Sequence, residues 1–121
     1  MVCLYLNLFF ISFAYLHECS KGNLRIMTIA PELERSINVI KWLSIHNVIP
    51  SIGHSNAKFD EAIKAFNAGA RLATHFFNAM RSFHHRDLGI IGVALNRKDV
   101  YIELISDGIH VACGNKVCNQ F

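Results

Sequence analysis

The sequence predicts an α/β fold built on a parallel sheet, and three observations carry it. Short apolar runs recur from Leu24 onward, segments with helical spacing lie between them, and most connections are a few residues long. Strands alternating with helices over short links mark βαβ units, in which each helix carries the chain back so that the next strand lies parallel to the last. About four such units in residues 24–121 fit half of a (β/α)8 barrel, or a small open sheet.

Taken in order, residues 24–30 (LRIMTIA) form an apolar run ended by Pro31 and read as a buried strand. Residues 34–46 place Ile37, Ile40, Trp42, Leu43 and Ile45 at mostly helical spacing. A second strand is expected at 48–53 (VIPSIG), although Pro50 lacks an N–H and weakens the case for a central strand. Ser55 or Asn56 is placed to cap the next helix, in which Ala62, Ile63, Ala65 and Phe66 recur before Gly69 stops it. A third strand is expected at 71–75 and a fourth at 99–106 (DVYIELIS), with a further helix starting near Asn115. Between His75 and Asp99 the chain is longer and reads as an irregular loop carrying Asn78, His84, His85, Arg86 and Gly89. Long loops after strands are where such folds put their binding chemistry.

Composition narrows the classes. An apolar fraction of 52% with 17% charged residues can bury a core and excludes a disordered chain. Twelve Lys and Arg against nine Asp and Glu leave +3, with no basic block dense enough to follow a phosphate backbone, so no nucleic-acid partner is expected. Four cysteines (Cys3, Cys19, Cys113 and Cys118) sit near the ends with no C-x-x-C pair, which fits reduced thiols and a cytoplasmic location. Residues 1–23 stand apart from the 24–121 domain as an irregular apolar segment. Residues 2–16 are nearly all apolar, and no Lys or Arg precedes Lys21. The run lacks the basic start and cleavage site of a secretory signal and is short for a span of about 20 residues. A buried segment, or a wrongly chosen start of the coding sequence, is expected in place of a membrane anchor.

Polar residues cluster where strands should end: His54 closes the second, His75 the third, Asp107 and His110 the fourth. Parallel strands bring their C-terminal ends to one face, so these side chains can meet despite their separation in sequence. Two neutral imidazoles from adjacent strands suit a divalent cation of the Zn or Fe type, given a third ligand and an open position for water. A strand-end histidine is just as consistent with a hydrogen-bonded structural role, and pattern alone leaves both open. In the same way Asn78 can cap a short helix, Arg86 can be a solvated loop cation, and Asp107-Gly108 is a good turn dipeptide. Glu32, after Pro31, reads as a structural strand-end acid.

The blocks MTIAPE (27–32), SIGHSNAKFDEA (51–62), GARLATHFFNAM (69–80) and ISDGIH (105–110) resemble the N-acetylglucosamine-6-phosphate deacetylase family of the amidohydrolase superfamily. The resemblance runs from about Asn23 to Val111, with the blocks in family order. It implies a partial catalytic barrel that hydrolyses the N-acetyl group of N-acetylglucosamine 6-phosphate to glucosamine 6-phosphate and acetate. It further implies that His54 and His75 ligate a divalent metal, Zn or alternatively Fe. Asn78 and Ala79 would contact the amino sugar, and Arg86 would hold its phosphate through a planar, permanently charged fork. Asp107, Gly108, Ile109 and His110 would form another substrate-contacting turn, with Arg86 or His110 acting across a homodimer. Leu88 departs from the pattern, since a proline usually precedes that glycine, which puts the course of the phosphate loop in question. The family's third metal ligand, a glutamate, and its catalytic aspartate have no counterpart in these residues. No catalytic acid–base residue is therefore assigned here, and the expected chain is a fragment with impaired activity. The competing expectation is a non-catalytic, sugar-phosphate-binding remnant.

Overall fold

The computed structural model describes residues 12–112. Cys3, Cys113, Cys118 and the helix expected near Asn115 lie outside them. Residues 12–19 form a helix, α1, and seven further elements follow. These are β1 (Ile26–Ile29), α2 (Ser36–Ile45), β2 (Ile49–Ile52), α3 (Phe59–Asn67), β3 (Leu72–Ala73), α4 (Gly89–Leu95) and β4 (Tyr101–Ile102). The strands make one sheet in the order β1-β2-β3-β4, every pair parallel. Each strand thus lies beside its predecessor, and the winding never reverses direction. The expected parallel α/β sheet is present, and barrel closure is not part of these four strands.

Burial follows the pleat. Ile29, Ile52, Ala73 and Ile102 face a layer made by Ile40 of α2, Ala62, Ala65 and Phe66 of α3, and Ile90, Val93 and Ala94 of α4. Of the alternate residues, which point the other way, Ile26 and Ile49 are each 46% exposed and Tyr101 is 76% exposed, whereas Ser51 in the middle of β2 is fully buried. The helices of this core lie on one face of the sheet. A second cluster joins Val39, Leu43 and Val48 to Phe13 of α1 and Met27 of β1.

Four local expectations need correction. The described part of the N-terminal segment is not irregular: 12–19 is a helix docked on α2 through Phe13, with the His17 ring edge-on to Trp42 (5.7 Å) and His46 (5.6 Å). Pro50 occupies a strand with neighbours on both sides. Its carbonyl accepts from Arg71 N–H at 3.2 Å, but β3 proper pairs only from Ser51 upward, so the missing N–H faces a level where that ladder has not begun. Neither Ser55 nor Asn56 caps α3. The N-cap is Lys58, whose backbone N–H donates to the Glu61 carboxylate at 2.7 Å, one half of a capping box. Finally, the loop expected between His75 and Asp99 contains α4, whose residues are buried from Gly89 to Ala94. A helix buried nearly all round shows no amphipathic period, so the pattern that reveals helices was missing.

No helix among the described residues is long and apolar enough to cross a membrane. Cys19 is exposed and forms no disulfide among the described residues.

Candidate functional site

The strand ends converge as parallel winding requires. His54 lies just past β2 and His75 just past β3, and because these strands are hydrogen-bonded neighbours the two imidazoles stand together. Their ring centres are 5.7 Å apart, with planes at 80°. Gly53 makes the approach possible: a Cβ there would lie 2.6 Å from Thr74 Cγ2 and 3.0 Å from Thr74 O. Both histidines turn the chain sharply, with φ of 50° at His54 and 37° at His75, and Phe77 (72°) and Ala79 (46°) continue this left-handed geometry. Histidine tolerates that region better than phenylalanine or alanine, and such residues gather at functional sites where the surroundings over-determine them.

The pair suits a metal ion on two counts. Two imidazoles on one tetrahedral ion, each bonded at about 2.0–2.1 Å, have ring centres about 5 Å apart, close to the observed spacing. His75 Nδ1 is buried with no hydrogen-bond partner. A buried imidazole nitrogen left unpaired is costly, and a cation on its lone pair removes that cost. Among the described residues, no group of three or more His, Cys, Asp or Glu side chains is placed to hold an ion.

The loop carrying His54 is fixed from both sides. Glu32, beyond β1, accepts from Ser55 Oγ at 2.5 Å and from Asn56 N–H at 2.8 Å. On the other side Ser55 N–H donates to Ala79 O (2.9 Å) and Arg81 N–H to Ser55 O (3.1 Å), a short parallel bridge that extends the sheet beyond its strands. Ser55 Oγ also accepts from Ala57 N–H at 3.0 Å. Glu32 thus ties the first loop to the second, a structural role.

Two clefts open beside these loops. The smaller, about 300 Å³, is lined by His54, Ser55, Asn56, Ala79, Met80 and Arg81. The larger, about 620 Å³, lies between the start of α3 and the loop before α4, and is lined by the cations Lys58, Arg81 and Arg86 together with the carboxylates Asp60 and Asp87. Ala79 therefore shares a cleft with His54, and Arg86 lines the other. Asn78 is turned inward on its own loop, its Nδ2 donating to Phe76 O at 3.2 Å. Leu88 is the position at which the sequence departs from the family pattern. Its φ of −74° is one a proline would adopt.

Arg81 and Asp87 were not singled out by sequence, and they organise this region. Arg81 Nε pairs with Asp87 Oδ2 at 2.9 Å, and Asp87 Oδ1 accepts from the N–H groups of Phe59 (3.1 Å) and Gly89 (3.3 Å). Burial tends to raise the Asp87 pKa, but those two N–H donors and Arg81 outweigh it and hold the carboxyl below its ordinary value. No motif marks either residue, and only the fold brings them together.

The turn after β4 is self-contained. Asp107 Oδ1 accepts from the N–H groups of Ile109 (2.9 Å) and His110 (2.8 Å), and its Oδ2 meets His110 Nδ1 at 2.6 Å. Gly108 takes a φ of 76°, and Ile109 is 87% exposed. The His110 N–H, the His110 ring and the Ile109 N–H together hold the Asp107 carboxyl down to about 2. With Nδ1 engaged, Nε2 is the ring nitrogen of His110 left for another partner. The hydrogen bonds of Asp107 run within its own turn.

No protein-family model matches the chain. Curated relatives do. It is 43% identical over 96 residues to the N-acetylglucosamine-6-phosphate deacetylase of Caenorhabditis elegans, covering 75% of this chain and 23% of that protein. It is 40% identical over 92 residues to the N-acetylgalactosamine-6-phosphate deacetylase of Escherichia coli O157:H7, covering 76% of this chain and 24% of that protein. Among solved structures, the N-acetyl-D-glucosamine-6-phosphate deacetylase of Mycobacterium smegmatis superposes with a TM-score of 0.82 at 35% identity, covering 83% of this chain and 29% of that one. A mutant of that enzyme is known in complex with N-acetyl-D-glucosamine-6-phosphate. The chain spans about a quarter of the length of the curated relatives it matches.

Proposed function

We propose that this chain, a relative of the N-acetylglucosamine-6-phosphate deacetylases over about a quarter of their length, carries two metal-ligand positions and part of the sugar-phosphate site of such an amidohydrolase. The reaction would remove the N-acetyl group of N-acetylglucosamine 6-phosphate, giving glucosamine 6-phosphate and acetate. The observation that supports this best is the His54–His75 pair, 5.7 Å between ring centres, at the ends of neighbouring parallel strands. In this reading the four strands are one arc of a (β/α)8 barrel, supported by their uninterrupted order and by helices confined to one face.

His54 and His75 would hold the divalent ion, Zn or alternatively Fe. When bound, that ion supplies a water of lowered pKa and polarises the acyl carbonyl. The other roles belong to side chains. Ala79, beside His54 in the smaller cleft, and Asn78 would border the sugar ring. Arg86, lining the larger cleft, would take the phosphate, since its guanidinium matches two oxygens at once. The Asp107-Gly108-Ile109-His110 turn would add the His110 imidazole, with Asp107 fixing Nδ1 as the donor and leaving Nε2 for the substrate. Arg86 and His110 are both exposed, which suits a contribution across a homodimer. A cytoplasmic setting is consistent with the free thiol of Cys19.

No residue here is assigned as the general acid–base. Loss of such a group costs roughly 10²–10⁴ in rate, so weak turnover by these 121 residues is part of the proposal. A second reading, a sugar-phosphate-binding remnant without turnover, draws on the lack of a third metal-binding side chain among the described residues. The two are separated by measuring bound metal together with acetate release, using N-acetylglucosamine 6-phosphate and its galacto epimer. Stoichiometric Zn or Fe, lost in His75→Ala, with acetate release supports the enzyme. Binding of the phosphosugar without metal or acetate supports the remnant.

A further inference from the structure

The two clefts meet at one side chain. Arg81 lines both, the smaller with His54 and Ala79 and the larger with Lys58 and Arg86. Its guanidinium is already engaged: Nε holds Asp87 Oδ2 at 2.9 Å, and Nη1 donates to Asn56 Oδ1 at 3.2 Å. Asn56 follows His54 by two residues and is itself anchored through its N–H on Glu32 (2.8 Å). Asp87 follows Arg86 by one residue, holds the start of α3 through Phe59 N–H and closes a backbone pair with His84 (Asp87 N–H to His84 O, 3.0 Å). A continuous polar chain, Glu32–Asn56–Arg81–Asp87, therefore links the loop bearing His54 to the loop bearing Arg86. The Arg86 side chain, by contrast, has no ion pair or hydrogen bond among the described residues and is free to take a ligand.

We propose that Arg81 is a positioning residue: it clamps Asn56 and Asp87 and so fixes the span between the His54 end of the site and Arg86, giving selectivity for a phosphorylated over an unphosphorylated amino sugar. This rests on the functional reading above. The side-chain chemistry favours a clamp over a direct phosphate contact, because two of the three guanidinium nitrogens are already spent on neighbours. An ammonium could keep the charge at this position but lacks the planar fork that reaches both partners.

The test compares binding of N-acetylglucosamine 6-phosphate and of N-acetylglucosamine to the full chain, by calorimetry, for wild type, Arg81→Lys, Arg81→Gln and Asn56→Ala. Arg81→Lys and Arg81→Gln are both expected to weaken the phosphorylated sugar about tenfold, the effect of a misplaced contact worth one decade, and to leave the unphosphorylated sugar unchanged. Asn56→Ala, which removes only the Nη1 contact, shifts the same ratio in the same direction and serves if Arg81→Gln fails to fold. Full rescue by Arg81→Lys would show that charge alone matters and would overturn the clamp, as would an unchanged ratio in all three variants. A wild type with no preference for the phosphorylated sugar would instead overturn the functional reading, and the inference with it.

Discussion

Replacing Gly53 by alanine should weaken the fold and loosen the histidine pair together. The added Cβ would meet Thr74 Cγ2 at 2.6 Å and Thr74 O at 3.0 Å. Carbon atoms pack at about 3.5–4.0 Å, so the strands would have to part by up to about 1 Å. Neither obstacle yields easily. Threonine is stiff at χ1, and the Thr74 peptide is held in the ladder by its N–H on Ile52 O at 3.0 Å. Overpacking of this kind costs about 1–3 kcal/mol. His54 and His75 each follow a clashing residue directly, so the same movement separates their rings, whereas metal–ligand distances hold to within about 0.2 Å. Urea unfolding of Gly53→Ala should show the loss at unchanged m-value, and zinc titration should show weaker binding. Adding Thr74→Ser removes Cγ2 but not the carbonyl, so the double variant should recover part of both losses. A Gly53→Ala variant within about 0.5 kcal/mol of wild type, binding zinc as tightly, would refute the claim that strand approach sets the pair.

Other outcomes follow from the packing and the hydrogen bonds. Phe66→Ala empties the centre of the core, where that ring has no exposed surface, and should cost about 3–5 kcal/mol by calorimetry. Glu32→Ala removes the acceptor for Ser55 Oγ and Asn56 N–H and should cost about 1–3 kcal/mol; amide exchange at Asn56 should rise, and an unchanged rate would count against the tie. Asp107 titrates at about 2 in the fold against an ordinary 3.8. A depressed carboxylate contributes above its unfolded pKa, so the support it gives the 107–110 turn should be full above about pH 4 and vanish as pH falls through about 2. A carboxyl NMR titration centred near 3.8 would contradict this, and Asp107→Asn should abolish the transition.

Much of the architecture was legible because it depends on local rules. Apolar runs bounded by Pro31 and Gly69, with a helical period between, sufficed to place β1, α2, β2 and α3 within a few residues of where they lie. The strand-end position of His54 and His75 followed from the same reasoning, and their neighbouring placement from parallel winding. What sequence did not reveal depended on distant partners. α4 was hidden because Ile90, Ile91, Val93 and Ala94 are all buried, which leaves no polar stripe to set a period. Ser55 looked like a cap since its residue type is the usual one, but its hydroxyl is taken by Glu32, 23 residues earlier. Arg81 resembled any loop cation until Asn56 and Asp87 were seen on either side of it.

The left-handed turns at His54, His75, Phe77 and Ala79 bear on the order in which the molecule comes apart. Each costs on the order of 1 kcal/mol relative to an ordinary backbone, and that energy is regained when the segment opens. That strain favours local opening of the 75–79 loop, while its Phe76 ring, 1% exposed in the core, opposes it. Whatever binds across the two histidines must hold that loop shut. Its first signature should be slowed amide exchange at Phe76 and Asn78, whose N–H groups bond to Glu103 O and His75 O at 2.8 Å each.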